Sequence, residues 1–252
     1  MEFQGHDTNS GELVHVPEFR LMSYRQFRDP IQTLRLLKKL HSAGPRDMML
    51  FRMKNKGLLI VIEGIDGSGK TTQAKTLLRR LRARGFAAVF FREPTGGKWG
   101  REIRRKALRR DSLTPDEELE LFVKDRREDV ARNLGPALAA GKVVVLDRYY
   151  FSTIAYQGAK GIDPGRIRRM NEAFAPKPDL VLILDIEAGR GLSRIGNRKR
   201  KEELFERADY LAKVGELFNG FRGRKFIHID GTRDRKTTSD KILEKVLHVL
   251  GG

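Results

Sequence analysis

The stretch that most constrains the fold is residues 58–72, LLIVIEGIDGSGKTT, in which an apolar run ends at a glycine-rich turn. Its glycines, lysine and threonine satisfy the spacing G-x-x-x-x-G-K-[ST] at Gly64, Gly69, Lys70 and Thr71. Glycines let successive backbone amides point inward as an anion-binding nest, and a helix that starts there adds its positive end. The apolar run predicts a buried strand, and the residues after the turn predict a helix. The stretch therefore predicts a strand, loop and helix that cradle phosphate.

Each side chain of the turn has a predicted task in binding a nucleotide. Lys70 is long enough to reach the terminal phosphates, and the Thr71 hydroxyl is placed to ligate magnesium. The remaining contacts are expected from backbone amides. The predicted nucleotide-binding residues are Gly64, Ile65, Asp66, Gly67, Ser68, Gly69, Lys70, Thr71 and Thr72.

Further apolar runs alternate with helical segments, which predicts a doubly wound α/β fold: a five-stranded parallel sheet with helices on both faces. Thr114, Pro115 and Glu117 predict a capped helix start, and Asp163 before Pro164 predicts another. The predicted strands are 58–63, 87–91, 142–146, 180–185 and 225–229.

Charged residues follow several of these predicted strands. Ligands of doubly wound sheets gather at the carboxyl ends of the strands, so Asp147 and Asp185 are both candidates to hold magnesium or its waters. Aspartate also caps helices, and the sequence alone does not separate the two roles. Arg148, which adjoins Asp147, favours a functional role for Asp147, because a guanidinium clamps phosphate in a bidentate manner.

The composition excludes some classes of protein. The 252 residues include 51 Lys and Arg against 33 Asp and Glu, a formal charge of +18, which predicts anionic partners. We interpret the charge as a solvated basic surface, since no stable nucleic-acid partner is indicated by a known motif. The absence of cysteine excludes disulfides, and no apolar run is long enough for a membrane span. A cytoplasmic protein is expected.

Several motifs in order along the chain resemble the thymidylate kinase family. They are EGIDGSGKTTQ from Glu63, FREP from Phe91, GREIR from Gly100, LFVKDR from Leu121, DRYYFSTIAYQG from Asp147 and a basic stretch after LILDIE at Leu182. The resemblance covers about residues 57–250 and implies ATP- and Mg²⁺-dependent phosphorylation of dTMP to dTDP by direct in-line transfer. It also implies a homodimer.

The resemblance assigns the acceptor site residue by residue. Phe122 is expected to stack on the thymine ring and Arg126 to read the base; the two lie one helical turn apart, so both can face one pocket. The other implied contacts are Glu93 near the phosphate and sugar, Arg104 and Arg148 on the monophosphate, Thr153 and Gln157 on the thymine edge, and Tyr156 beside the ribose.

Family members place a catalytic arginine either in the phosphate loop or on a mobile lid. Gly67 and Ser68 stand where the first type carries arginine, so the resemblance implies a lid, at about residues 189–203, that supplies it. The candidates there are Arg190, Arg194 and Arg198. The implied catalytic set is Lys70, Asp147, Arg148, Arg194 and Arg198.

Three positions depart from the family pattern. Residues 92–98 read REPTGGK where the family usually reads REPGGT, Lys124 occupies a position that is typically small, and Leu204 replaces a frequent arginine. These departures bear on base preference and lid detail.

The predicted organisation is an appendage over residues 1–56 and a nucleoside monophosphate kinase domain over residues 57–252. Two alternatives stay open at this point. One is a related kinase that acts on another nucleoside monophosphate. The other is a basic nucleic-acid-binding or regulatory protein that keeps the kinase fold.

Overall fold

The structure, a computed structural model, describes residues 57–109, 113–195 and 201–250. For residues 108, 109, 195 and 201–206 it describes the backbone only. The predicted appendage, residues 1–56, lies outside the described residues. None of the helices in the described part of the chain is both long and apolar enough to cross a membrane.

Five parallel strands form one sheet in the order β2-β3-β1-β4-β5, so the predicted doubly wound α/β class is confirmed. The prediction was correct to the residue for β1 and β4, and β2, β3 and β5 begin and end one residue later than predicted. The strands are β1 Leu58–Glu63, β2 Ala88–Arg92, β3 Val143–Asp147, β4 Leu180–Asp185 and β5 Phe226–Asp230.

Three of the described helices, those that follow Thr114, Asp163 and Asp234, begin at a residue whose side chain caps them. Thr114 and Glu117 form the expected capping box, and the Asp163 carboxylate accepts from two amides of the helix that it precedes. A single π-helical segment, Val130–Leu134, separates α3 from α4. The described helices are α1 Lys70–Arg82, α2 Lys98–Arg109, α3 Pro115–Asp129, α4 Gly135–Ala139, α5 Tyr150–Gly158, α6 Pro164–Glu172, α7 Ala188–Ile195, α8 Lys201–Asn219 and α9 Arg235–Val249.

Each face of the sheet builds its own hydrophobic core. Side chains alternate along β1, so Leu59 and Val61 join the core that contains residues of α3, α5 and α8, whereas Ile60 and Ile62 join the core that contains residues of α1 and α9. Burial on both faces explains why the strands read as continuous apolar runs in the sequence.

The register of the sheet brings the polar strand ends together at one edge. Ile62 of β1 lies opposite Asp147 of β3, and Asp147 lies opposite Arg92 of β2. Arg148 then leaves the sheet in a left-handed conformation, φ 69°, while its amide donates to Ile62 O at 3.1 Å. The phosphate loop and the residues after β2 and β3 therefore meet at the carboxyl edge.

Candidate active site

The phosphate loop needs glycine for two separate reasons. Gly64, Gly67 and Gly69 have φ values of 136°, 79° and 92°, which other residues rarely adopt. At Gly67 a Cβ atom would also lie 2.1 Å from the carbonyl oxygen of Gly191 on α7. The loop and α7 thus touch through their backbones.

Lys70 folds back onto its own loop. Its ammonium donates to Ile65 O at 2.6 Å and lies 3.4 Å from Ser68 Oγ. Burial, and after it the positive charge of Arg148, lower the pKa of Lys70 to about 7. The charges of Asp66, Asp147 and Glu63 oppose this lowering, and a phosphate anion in the loop would oppose it further.

The Thr71 hydroxyl and the Asp147 carboxylate, the two predicted magnesium ligands, lie next to each other beside the loop. Thr71 Oγ1 donates to Asp147 Oδ2 at 2.5 Å, and Arg92 Nε lies 3.6 Å from the same carboxylate oxygen. Asp147 Oδ1 is buried and has no hydrogen-bond partner in the described structure. One hydroxyl and one carboxylate suit Mg²⁺, which keeps several waters and takes its other ligands from substrate phosphates.

Asp185, the other magnesium candidate, has a different neighbour. Its carboxylate lies 3.0 Å from His228 Nδ1 on β5. Among the described residues, no group of three or more histidine and carboxylate side chains could hold a metal ion. Asp185 thus lies beside a histidine, whereas Asp147 lies beside the Thr71 hydroxyl.

Arg148 joins the end of β3 to the phosphate loop. Its guanidinium donates to the Asp66 carboxylate and, at 3.0 Å, to Ser152 Oγ. It also lies over the Tyr156 ring, 5.2 Å from the ring centre, and the Tyr156 hydroxyl accepts from the Asp66 amide at 3.1 Å. The predicted Tyr156 thus contacts the phosphate loop directly.

Glu63, which the sequence analysis did not single out, organises the start of α5. Its carboxylate accepts from the amides of Tyr149 and Ser152 at 2.8 and 3.1 Å and from Ser152 Oγ at 2.6 Å. Burial raises its pKa, against the opposing effect of these hydrogen bonds. An acidic residue that ends a buried strand is the signal that could have found it.

A second polar cluster lies after β2. The buried Glu93 carboxylate accepts from Arg126 Nε and Nη2 at 2.8 and 2.6 Å. Arg126, also buried, donates from Nη1 to Asn171 Oδ1 at 2.6 Å and from Nη2 to Thr153 Oγ1 at 3.1 Å. Burial raises the pKa of Glu93 to about 8 even though Arg126 opposes the rise. No sequence signal pointed to Asn171.

The turn after Glu93 contains Thr95, which belongs to the segment that departs from the family pattern. The Thr95 amide and hydroxyl donate to the Asp125 carboxylate at 2.7 and 2.6 Å. Arg104 on α2 donates to the carbonyls of Pro94 and Thr95 at 3.0 and 2.5 Å and is otherwise exposed. The predicted phosphate-clamping arginine therefore contacts the turn that follows Glu93.

The predicted base-contacting residues lie on α3 and α5. Phe122 is half-buried and belongs to neither core cluster of the described residues. The Gln157 amide nitrogen donates to Glu118 Oε2 at 2.8 Å, while Gln157 Oε1 is buried without a partner in the described structure. Glu118 was not predicted as part of the site.

The predicted lid falls partly within the described residues. Residues 189–195 belong to α7, where Arg190 and Arg194 are exposed. Arg194 Nη1 lies 3.2 Å from Gly231 O and 3.5 Å from Gly67 O, so this arginine reaches the phosphate loop. Arg198 lies outside the described residues.

The phosphate loop, the adjacent hydroxyl and carboxylate pair, and the second polar cluster on the same sheet edge define a P-loop kinase. The thymidylate kinase family model matches residues 62–242 of the chain. A probable thymidylate kinase of Archaeoglobus fulgidus is 43% identical over 196 residues, which cover 76% of this chain and 97% of the relative. Thymidylate kinases of Desulfotalea psychrophila and Akkermansia muciniphila are 43% and 44% identical over 197 and 194 residues, which cover 78% and 77% of this chain and 97% and 93% of those proteins.

The chain belongs to the thymidylate kinase family. The resemblance inferred from the motifs is thereby confirmed. The task of each individual side chain stays a prediction.

Replacing Gly67 by alanine tests the contact between the phosphate loop and α7. We expect Gly67→Ala to lower the free energy of unfolding by about 1–2 kcal/mol for its left-handed backbone and by about 1–3 kcal/mol more for the clash with Gly191. Gly85→Ala is the matched control, because Gly85 has φ 83° but open space around its Cβ position. Urea denaturation measures the free energy of unfolding of the two variants. Equal decreases in Gly67→Ala and Gly85→Ala would show that the backbone contact is dispensable.

Proposed function

We propose that this protein transfers the γ-phosphoryl group of ATP to dTMP and releases dTDP and ADP. One observation carries the proposal. The sheet edge that holds the phosphate loop also holds the buried Glu93–Arg126 pair, in a chain of the thymidylate kinase family. Two neighbouring polar sites are what a reaction between two nucleotides requires.

The donor half of the proposed site consists of the phosphate loop and its partners. The loop amides and Lys70 would hold the ATP phosphates, and Arg148 would bridge toward the acceptor. Thr71 and Asp147 would hold magnesium, because their paired oxygens and the orphaned Asp147 Oδ1 suit a hard cation. When bound, magnesium supplies positive charge to the donor phosphates.

The acceptor half consists of the groups after β2 and on α2, α3 and α5. Phe122 would stack on the base, and Arg126 with Thr153 and Gln157 would address its polar edge. Arg104 and Arg148 would hold the monophosphate. Glu93 keeps the Arg126 side chain in place through two hydrogen bonds to one oxygen, which fixes the direction of the remaining guanidinium donors.

The proposed reaction needs no protein nucleophile. In phosphoryl transfer the protein positions the two oxygens in line and stabilises charge on the transferring group. Arg194 already reaches the phosphate loop, and Arg194 and Arg198 are proposed to supply charge over the transferring group from the lid. A homodimer and a cytoplasmic location are proposed from family resemblance alone.

Neither alternative from the sequence gains support. The matched relatives are named thymidylate kinases, and no observation of the site favours another monophosphate. The formal charge of +18 suits anionic nucleotides as well as nucleic acid.

Lys70→Ala should remove nearly all turnover while leaving the fold intact. Loss of one preorganised positive group at the transferring phosphates is expected to lower kcat by about 10²–10³. ADP release from ATP with dTMP as acceptor, followed in a coupled assay, measures the effect. Lys75→Ala, an exposed lysine on the same helix, is the matched control. Near-normal turnover of Lys70→Ala would refute the mechanism.

Nucleotide binding should take up protons above neutral pH. With a pKa of about 7, Lys70 is mostly neutral in the free protein at about pH 8, and an adjacent triphosphate favours its charged form. ATP affinity should therefore weaken as pH rises from about 7 toward about 10. Calorimetry in two buffers of different protonation enthalpy measures an uptake approaching about one proton at pH 8. Lys70→Arg should show no uptake, because arginine stays charged. Identical wild-type heats in both buffers would contradict the prediction.

A further inference from the structure

Two polar links join α3 to α5, one on each side of the proposed base position. Arg126 Nη2 donates to Thr153 Oγ1 at 3.1 Å, and Gln157 Nε2 donates to Glu118 Oε2 at 2.8 Å. Positions 118, 122 and 126 are spaced by four and share one face of α3. Phe122 lies between the two links along that face, so a base stacked on it would lie between them.

The Gln157 amide is held in one orientation. Its side chain is buried, with 2% exposed, and its nitrogen faces a carboxylate. Its carbonyl oxygen is buried and has no partner in the described part of the chain. A buried acceptor without a donor costs about 1–3 kcal/mol of stability, so a hydrogen bond from an N–H group of a ligand would remove this penalty.

Glu118 is the reason for that orientation. An ionised carboxylate only accepts hydrogen bonds, so Gln157 must turn its NH₂ group toward Glu118. The reverse orientation would place two acceptor oxygens against each other. Lys160 donates to the same oxygen, Glu118 Oε2, and so helps to hold the carboxylate in place.

Arg126 supplies the complementary group. A guanidinium has five N–H donors, and four of them are used: two by Glu93, one by Asn171 and one by Thr153. One N–H on Nη1 remains without a partner in the described structure. Arg126 on α3 therefore carries one free donor, and Gln157 on α5 carries one free acceptor.

This pair of groups matches one class of pyrimidine edge. Thymine and uracil carry a carbonyl oxygen beside an N–H group, which need a donor and an acceptor respectively. Cytosine carries an amino group beside an unprotonated ring nitrogen, so both of its needs are reversed. A site whose polar groups are left unpaired by the wrong base discriminates strongly against it.

We propose that Glu118 is a positioning residue that fixes the Gln157 amide so that the acceptor pocket selects the imide edge of thymine or uracil over the amino edge of cytosine. This inference rests on the proposed function and names how its acceptor site chooses a base. Glu118 acts through Gln157 and does not itself touch the base.

Glu118→Gln tests the proposal with a side chain of the same shape. A glutamine both donates and accepts, so Gln157 can then adopt either orientation. We expect kcat/KM for dTMP to fall about tenfold through KM, as for the loss of one hydrogen bond. The preference for dTMP over dCMP should narrow about tenfold, while the KM for ATP stays unchanged. Steady-state kinetics with dTMP, dUMP and dCMP measure these values.

Glu120→Gln is the matched control, because Glu120 lies on the same helix, is exposed and pairs with Lys124. It should leave every constant unchanged. The melting temperatures of both variants show whether a change in KM or in base preference is accompanied by a loss of stability. A Glu118→Gln protein with a lower melting temperature but the wild-type KM and base preference would overturn the proposal, and Glu118→Ala should repeat the loss of preference if the proposal holds.

The wild-type measurements separate this inference from the proposed function. Wild-type turnover of dTMP together with an unchanged base preference in Glu118→Gln contradicts the inference alone. A wild-type protein that does not phosphorylate dTMP, or that prefers dCMP, contradicts both.

Discussion

The parallel pairing of β1 with β3 is the constraint on which the rest of the site depends. It sets Ile62 opposite Asp147, so the phosphate loop that follows β1 starts beside the carboxylate that ends β3. The Thr71–Asp147 hydrogen bond of 2.5 Å then ties the first turn of α1 to β3. The next residue, Arg148, turns back to donate to the loop at Asp66. A single strand pairing thus brings the phosphate loop, Asp147 and Arg148 together.

Polar groups that are buried near this edge are stabilised by hydrogen bonds to neighbouring polar groups. Glu93 and Arg126 are both almost fully buried, and two hydrogen bonds join Arg126 to Glu93 Oε2. Removing one partner from such a pair typically costs about 3–5 kcal/mol. Glu63 is satisfied in the same way by the start of α5. The two hydrophobic cores on either face of the sheet offset the cost of these polar groups. Three buried oxygens of the candidate site are exceptions, because Glu93 Oε1, Asp147 Oδ1 and Gln157 Oε1 have no hydrogen-bond partner in the described structure.

Local patterns in the sequence predicted the local features of the fold. Strands that are buried on both faces appear in the sequence as apolar runs, and the capping box at Thr114 marks the start of α3. The strands and this helix start were therefore predicted correctly. Contacts between distant segments leave no such pattern: Asn171 meets Arg126 across 45 positions, and Glu118 meets Gln157 across 39. Motif resemblance, rather than periodicity, brought Arg126 and Gln157 into the predicted site. The pairing of Asp185 with His228 likewise became visible only in the folded chain.

We propose that a phosphate loop and a thymine-selective acceptor site share one sheet edge. ATP turnover by the wild-type protein, measured with dTMP, dUMP, dCMP, CMP, UMP and GMP as acceptors, tests this arrangement. We expect the highest kcat/KM with dTMP and weak turnover with the cytosine and guanine nucleotides. Equal turnover with all six monophosphates, or a preference for a cytosine nucleotide, would contradict it.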